Sequence, residues 1–435
     1  MKDENTNVTL SLFKGVTISV ALVFLLLVSL PSAALALQPN DSTNASGNWN
    51  HCGIIVNHEN AGDNAIQLAL NAAAEGKVSP SVVCVGSGVY PEQLSITASG
   101  VSLVGLGSPW NPAIIEPSSV AVNSYFAVTA GKELVAAIIL AGNGGTPNVL
   151  TNVNIRNIVV DGAAASPSTD AFPTCSTDYV GIFYNGASGS VSGNIVRDMY
   201  MQPDQANCLL GEGIDVALNN VAYAETVTIS DNLVPNYNQV GIFCGGSGIT
   251  CYITDNDLSV YAPYNSLALS PSGVVIYPGT LAIIEGNTIS GAFCTTSPCG
   301  PNFYSQYQGF GIQTIQSATG TVVKDNTITK ADYGIGVLGD SVSVLSNKIS
   351  NSFVSAIITY DESGTIRIIG NQLFSSPIGI TMLDDGTTFT ANVASGTFYH
   401  TPVLVNITTI SPGEVTVYFR GHAYTASGTQ TIIIK

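Results

Sequence analysis

Short apolar runs alternate with polar bends along most of this chain, and one phrase recurs. It consists of two or three alternating apolar residues, then Asn, then another apolar residue. It reads VNIRNIVV (Val153–Val160), VSGNIV (Val191–Val196), VTISDNLV (Val227–Val234) and YITDNDL (Tyr252–Leu258). It continues as AIIEGNTI (Ala282–Ile289), VVKDNTI (Val322–Ile328), VSVLSNKI (Val342–Ile349), IRIIGNQL (Ile366–Leu373) and FTANV (Phe389–Val393). The Asn positions are 157, 194, 232, 256, 287, 326, 347, 371 and 392. A second phrase, Gly-Ile or close to it, begins at Gly181, Gly213, Gly241, Gly273, Gly311, Gly334, Ala356 and Gly379. Period-2 alternation between bends predicts three short strands per repeat.

Strands this short cannot bury an apolar face alone. Stacking repeat on repeat solves the problem, because strands pair at roughly 4.8 Å and inward side chains fill one continuous core. Asn suits the bend because it tolerates the left-handed conformation, and stacked Asn side chains can hydrogen-bond as a ladder. A β-sandwich also has regular turns but has no reason to repeat Asn in phase. Ahead of the repeats, Asp63–Ala72 reads as an amphipathic helix capped by Asp63. Beyond them, Pro402–Ile410, Glu414–Arg420 and Thr429–Ile434 read as strands of a β cap over the last coil. A separate partner-binding module is the alternative for that segment.

With these features the sequence resembles the right-handed parallel β-helix proteins of the pectate-lyase-like superfamily over roughly residues 60–400. The Asn column is similar to the Asn-bearing turn between that family's second and third sheets. The run Val85–Ile96 resembles its opening strand and turn. The resemblance implies an all-β, single-stranded right-handed parallel β-helix with an N-terminal helix cap and a C-terminal β cap. It implies little about activity, since one fold hosts many functions.

The N-terminus changes the picture of where the chain works. Lys2 and Lys14 precede an almost wholly apolar run, Gly15–Leu30, and a small-residue A-x-A site ends at Ala36. This predicts a secretory signal, or an anchor if it stays uncleaved. The implied boundaries are 1–36 signal, 37–58 linker and lead-in, 59–395 β-helix and 396–435 β cap. All eight Cys follow the signal, and an even count in an exported chain predicts disulfides. Short spacings favour Cys244–Cys251 and Cys294–Cys299, which leaves Cys175–Cys208 and Cys52–Cys84. Sequons at Asn40, Asn44 and Asn406 permit glycosylation.

Composition narrows the partners. The chain has 435 residues, a formal net charge of −17 and only 9% charged residues, with 45% hydrophobic. A disordered chain is excluded, and phosphate contacts would need a basic surface, so no nucleic acid is expected. The signal holds two Lys and two acids, so its removal leaves the charge unchanged.

Loop lengths point to a site. Four coils are longer than the others between Asn and the next Gly-Ile phrase: 157 to 181, 194 to 213, 256 to 273 and 287 to 311. All four insertions leave at one corner and should stack as a wall, which in repeat folds often marks the binding face. They carry Phe172, Tyr179, Tyr200, Tyr261, Tyr264, Phe293, Phe303, Tyr304 and Tyr307, whose faces suit sugar rings or pack on one another. On the strand beside them, the residue after Gly-Ile should point outward. That column reads Phe183, Asp215, Phe243, Val275, Gln313, Gly336, Ile358 and Thr381. Asp215 should therefore sit between two aromatic residues, with Glu212 and Asp178 nearby. A carboxyl group against aromatics suits a general acid, because desolvation favours its neutral form. Glycoside hydrolysis needs two carboxyl groups ~5 to 9.5 Å apart. Surface acids on an acidic protein are the bland reading of the same residues.

The resembled family's catalytic patterns are not reproduced. No Arg or Lys falls in the outward column, as a pectate-lyase base would. Asp384-Asp385 is similar to one polygalacturonase motif but has no accompanying His. The Asp-Pro-His of uronate epimerases is missing. A polyanionic substrate would be repelled unless calcium bridged the charges. Asp161, Asp231, Asp255 and Asp325 recur beside the turns, as turn-stabilising residues or a calcium stack. The sequence thus predicts a secreted or cell-surface protein without a cofactor, calcium excepted. It would bind carbohydrate in a groove along coils 157–313 and in one version process it, as a glycoside hydrolase or a polysaccharide lyase-like enzyme. Asp215, Glu212 and Asp178 would be the catalytic groups. Phe183, Phe243, Tyr179, Tyr264, Tyr304, Tyr307 and Gln313 would hold substrate. The alternative is a non-catalytic structural or adhesion protein of the cell envelope. Contact with a membrane would run only through the uncleaved N-terminal segment.

Overall fold

The computed structural model describes residues 51–60, 62–128, 131–142, 149–164, 177–200, 211–217, 224–260, 271–293, 309–339, 341–360, 364–384, 386–409 and 413–435. The expected signal, its cleavage site and the sequons at Asn40 and Asn44 lie outside the described residues. The described residues belong to one compact unit, Ser46–Lys435. No described helix is long and apolar enough to cross a membrane.

Each coil gives one strand to each of three long sheets. Gly211–Ala217 lies in sheet C, Glu225–Ser230 in sheet A and Leu233–Tyr237 in sheet B. The next coil repeats the order with Val240–Gly245, Ile249–Thr254 and Asp257–Val260. Strands of successive coils pair in parallel, building sheets of 14 (A), 11 (B) and 13 (C) described strands. The right-handed parallel β-helix expected from the sequence is the architecture observed.

The Gly-Ile phrase explains how the coils close on one another. Ile182, Ile214, Ile242, Val274, Ile312, Ile335, Ile357 and Ile380 stand in register on sheet C and are buried. Full burial of such a side chain contributes about 1.5–3 kcal/mol, so the file is a large share of the core. The residue before each also faces inward, where space is short. A Cβ on Gly241 would lie 2.5 Å from Leu258 Cδ2 and 2.7 Å from the Gly273 carbonyl oxygen. Ala356 stands at the equivalent place in its coil and is buried.

At the corner from sheet A to sheet B, the left-handed residue is the one before the Asn. Asp231, Asp255, Asp325 and Ser346 have φ of 57°, 56°, 55° and 54°, and Gly193, Gly286 and Gly370 fill the same place. This corrects the expectation that Asn itself takes that conformation. The Asn that follows turns inward and is buried at 194, 232, 256, 287, 326, 347 and 371. Each Oδ1 from Asn232 onward accepts the backbone N–H and the Nδ2–H of the Asn one coil earlier, at 2.9–3.1 Å.

Asn157 and Asn392 lie outside this ladder. Asn157 occupies the left-handed place (φ 56°), and Ile158 behind it donates its N–H to Asn194 Oδ1 at 3.0 Å. Asn392 lies on strand Thr388–Ala394 opposite Arg367, and the ladder place of that coil falls to Gly396.

The helix forms at Ala65–Ala74 and buries Ile66, Ala69, Leu70 and Ala73 against the first strands. Its cap differs from the expected Asp63. The N-cap residue is Asn64 in the left-handed region, with no side-chain cap of its own. Instead the buried Glu92 carboxylate reaches from the first coil and accepts the N–H groups of Ile66 and Gln67, both at 3.0 Å. An anion there satisfies two orphan donors and matches the positive end of the helix dipole.

At the other end, Val403–Thr409 and Glu414–Phe419 extend sheets C and A in parallel. His422–Ser427, a strand missed in the sequence, and Gln430–Ile434 fold back antiparallel on them. The apolar core continues through Val415, Val417, Phe419 and Ala426.

Candidate functional site

The insertions leave at the corner from sheet B to sheet C. The chain passes from Leu233–Tyr237 to Val240–Gly245 with two residues between strands. By contrast, residues 162–176, 198–210, 261–271 and 291–309 intervene at the same corner in four other coils. Most of these residues lie outside the described ones. So do the expected substrate residues Tyr264, Tyr304 and Tyr307, and the expected pairs Cys175–Cys208 and Cys294–Cys299. Two other expected disulfides, Cys52–Cys84 and Cys244–Cys251, are formed.

Next to this corner, the outward column of sheet C is in register as the alternation implied. Phe183 lies opposite Asp215, Asp215 opposite Phe243, Phe243 opposite Val275, and Val275 opposite Gln313. A second outward file sets Glu212 between Val180 and Val240. Because Gly213 and Ile214 both turn inward, Glu212 and Asp215 share the outer face of one strand. Three residue rises separate them, about 10 Å between Cα atoms. Asp178 is on the preceding strand, opposite Val135.

The surroundings of these groups are apolar. Val135, Ala137, Leu140, Val180, Phe183, Ala217, Val240, Phe243 and Val275 form a buried cluster on the outer side of sheet C, separate from the main core. Asp215 is 1% exposed, Asp178 2% and Glu212 6%. Phe183 and Phe243 are packing residues of this layer, not exposed walls of a groove. Phe243 meets the partly exposed Tyr277 edge-on, ring centroids 4.9 Å apart. Gln313, half-buried, stands at the far end of the column. Tyr179 points the other way. Its ring is in the main core, and its hydroxyl donates to the Gly162 carbonyl oxygen at 2.9 Å. A substrate contact for Tyr179 is therefore corrected to core packing.

The recurring aspartates serve the turns. Asp231, Asp255 and Asp325 hold the left-handed turn positions. Burial, with Asp231 and Glu285 beside it, raises the Asp255 pKa. Asp161 binds Arg197 and accepts the Ala163 N–H at 3.0 Å. Asp384 accepts the N–H and hydroxyl of Thr387, while Asp385 lies outside the described residues. Among the described residues, no three His, Cys, Asp or Glu side chains converge to hold a metal ion.

Sequence reasoning missed Glu92 and Glu225. Glu225 lies two residues before Val227 and four before Ile229, both core residues, so period-2 alternation already placed it inside.

No family model matches the chain, and no curated protein matches it. Solved structures do. An alginate lyase from Paenibacillus sp. str. FPU-7 aligns at 13% identity over 74% of this chain and 98% of its own, with a TM-score of 0.49. A family 28 exopolygalacturonase from Yersinia enterocolitica aligns at 12% identity over 80% and 76%, with a TM-score of 0.49. The A-module of an Azotobacter vinelandii mannuronan C-5 epimerase aligns at 16% identity over 84% and 97%, with a TM-score of 0.40. The parallel β-helix of this chain stands on its own strand register.

Proposed function

We propose that the protein is an exported, cell-surface or extracellular carbohydrate-binding protein that uses the outer side of sheet C on coils 157–313. One observation carries the reading. Four insertions leave at a single corner, beside a strand face that presents Glu212 and Asp215 together. Sparse charge on a surface rich in Ser, Thr, Asn and Tyr suits neutral, hydroxyl-rich ligands better than polyanions. In the enzyme version, Glu212 and Asp215, on the outer face of one strand, would serve as the acid and its partner carboxylate, provided their carboxyl groups lie about 5 to 9.5 Å apart. Asp178 is the third candidate.

A second reading has its own support. The three carboxyl groups and both flanking Phe are buried, which favours a packed outer layer and a non-catalytic structural or adhesion rod. A glycan array with the exported protein separates the two. Retention of a defined glycan, with Asp215→Asn losing turnover while folding normally, supports the enzyme. Retention with Asp215→Asn unchanged supports binding without catalysis. An array on which the protein retains no glycan overturns the carbohydrate reading in favour of the rod.

A further inference from the structure

Glu225 begins strand Glu225–Ser230, directly after the exposed Ala224, and is wholly buried. Its partner in the next coil of sheet A is Ile249, an inward member of the main core. The next inward residues are Val227 on its own strand and the disulfide-bonded Cys251 opposite Val227. The same main core holds Tyr184, Val216 and the disulfide-bonded Cys244 of the neighbouring sheet C strands.

None of these described neighbours carries a charge. The Tyr184 hydroxyl is engaged with the Val153 and Ser190 carbonyl oxygens, and its pKa is raised by burial. Both Glu225 carboxyl oxygens are buried, with no hydrogen-bond partner among the described residues. A Cβ on Gly186, one coil earlier, would lie 3.9 Å from Glu225 Oε1, so the carboxyl group reaches that turn. An unpaired carboxylate in such a place is costly, and the group stays neutral instead. Burial pushes the Glu225 pKa up to about 8, and the nearby Gly186 backbone N–H, short of hydrogen-bond geometry, offsets the rise only in part.

We propose that Glu225 is a pH-operated latch on the start of its strand: protonated, it is seated in the core, and on ionising it leaves, freeing Glu225 and Thr226 from their neighbours. Two bonds define what opens. Glu225 N–H donates to the Gly248 carbonyl oxygen at 3.1 Å, and Thr226 N–H donates to Ser188 Oγ at 2.9 Å. The sign follows from linkage. The exposed carboxyl group ionises near its ordinary 4.5 and the seated one near 8, so the seated state binds the extra proton between those values. The seated state is at full strength below about 4.5, weakens as pH rises, and levels off above about 8. This device is independent of the proposed carbohydrate function.

Native-state hydrogen exchange at the Glu225 and Thr226 amides tests it, after correction for intrinsic base catalysis. In the unaltered protein, the opening constant should rise about tenfold per pH unit from pH 5 towards 8 and then flatten. Glu225→Gln and Glu225→Leu should abolish that slope, and amides of the strand Thr327–Thr329 should show none in any variant. An unaltered protein without the slope overturns the latch, as does either variant retaining it. If Glu225→Gln fails to fold, Glu225→Leu decides alone, since leucine fits an apolar column.

Discussion

Asn287 donates its Nδ2–H to Oδ1 of Asn326 at 2.9 Å across 39 residues of chain, and Asn326 Oδ1 also accepts the Asn287 backbone N–H at 3.0 Å. One side-chain oxygen thus serves two buried donors of the coil before it. Asn326→Ala strands the Asn287 backbone N–H, at about 1–3 kcal/mol, and removes the ladder bonds of Asn326 itself, while Asn287 Nδ2 keeps the Ile253 and Glu285 carbonyl oxygens. The expected loss is about 2–4 kcal/mol in urea unfolding. Asn392→Ala, from the same sequence phrase but outside the ladder and exposed, should change stability by less than about 0.5 kcal/mol. Equal effects of the two substitutions would contradict the ladder's role.

Glu92→Ala removes the acceptor for two first-turn amides of the helix. The expected cost is about 1–2 kcal/mol, measured by chemical denaturation. Asp63→Ala should be near neutral, because Asp63 caps nothing. The reverse ranking would restore the cap read from the sequence.

The two described disulfides should differ in worth. Cys52–Cys84 closes a separation of 32 residues and Cys244–Cys251 one of 7. Chain-entropy arithmetic gives roughly 3.7 and 2.4 kcal/mol respectively. Double Cys→Ala variants, compared by thermal melting, should rank in that order.

Gly241→Ala places a methyl group against Leu258 and the Gly273 carbonyl oxygen, and overpacking of this kind costs about 1–3 kcal/mol. Thermal melting checks it. Ala356→Gly, at the equivalent position, should cost only about 0.5–1 kcal/mol through backbone entropy.

Much of this was legible in the sequence. The fold could be read because stacking forces like residues into files, and a file leaves its period in the chain. The Gly-Ile phrase, the outward column through Asp215 and the insertion corner all follow from that period. Asn157 and Asn392 misled because Asn serves the left-handed place and an exposed strand as readily as the ladder, and spelling alone does not separate these. Glu92 escaped because its partners, Ile66 and Gln67, are backbone amides, which look the same at every residue. The orientation of Tyr179 was obscured because Gly181 and Ile182 both face inward and break strict alternation. The burial of Asp215, Phe183 and Phe243 depends on what lies over the sheet, which period cannot show. Glu225 stood in a position that alternation marked as interior, but a lone acid in an acidic chain drew no notice.

The Cys52–Cys84 bond also sets how the first coils would carry a mechanical load. A tug on the leading segment passes through sulfur directly into the strand Val82–Val85, bypassing the helix and the strand Ile54–Val56. Those thirty-odd residues form a slack loop behind a covalent clasp. Peeling from that end therefore cannot begin at the outermost strand, and the first element to yield must be one already gripped on both edges.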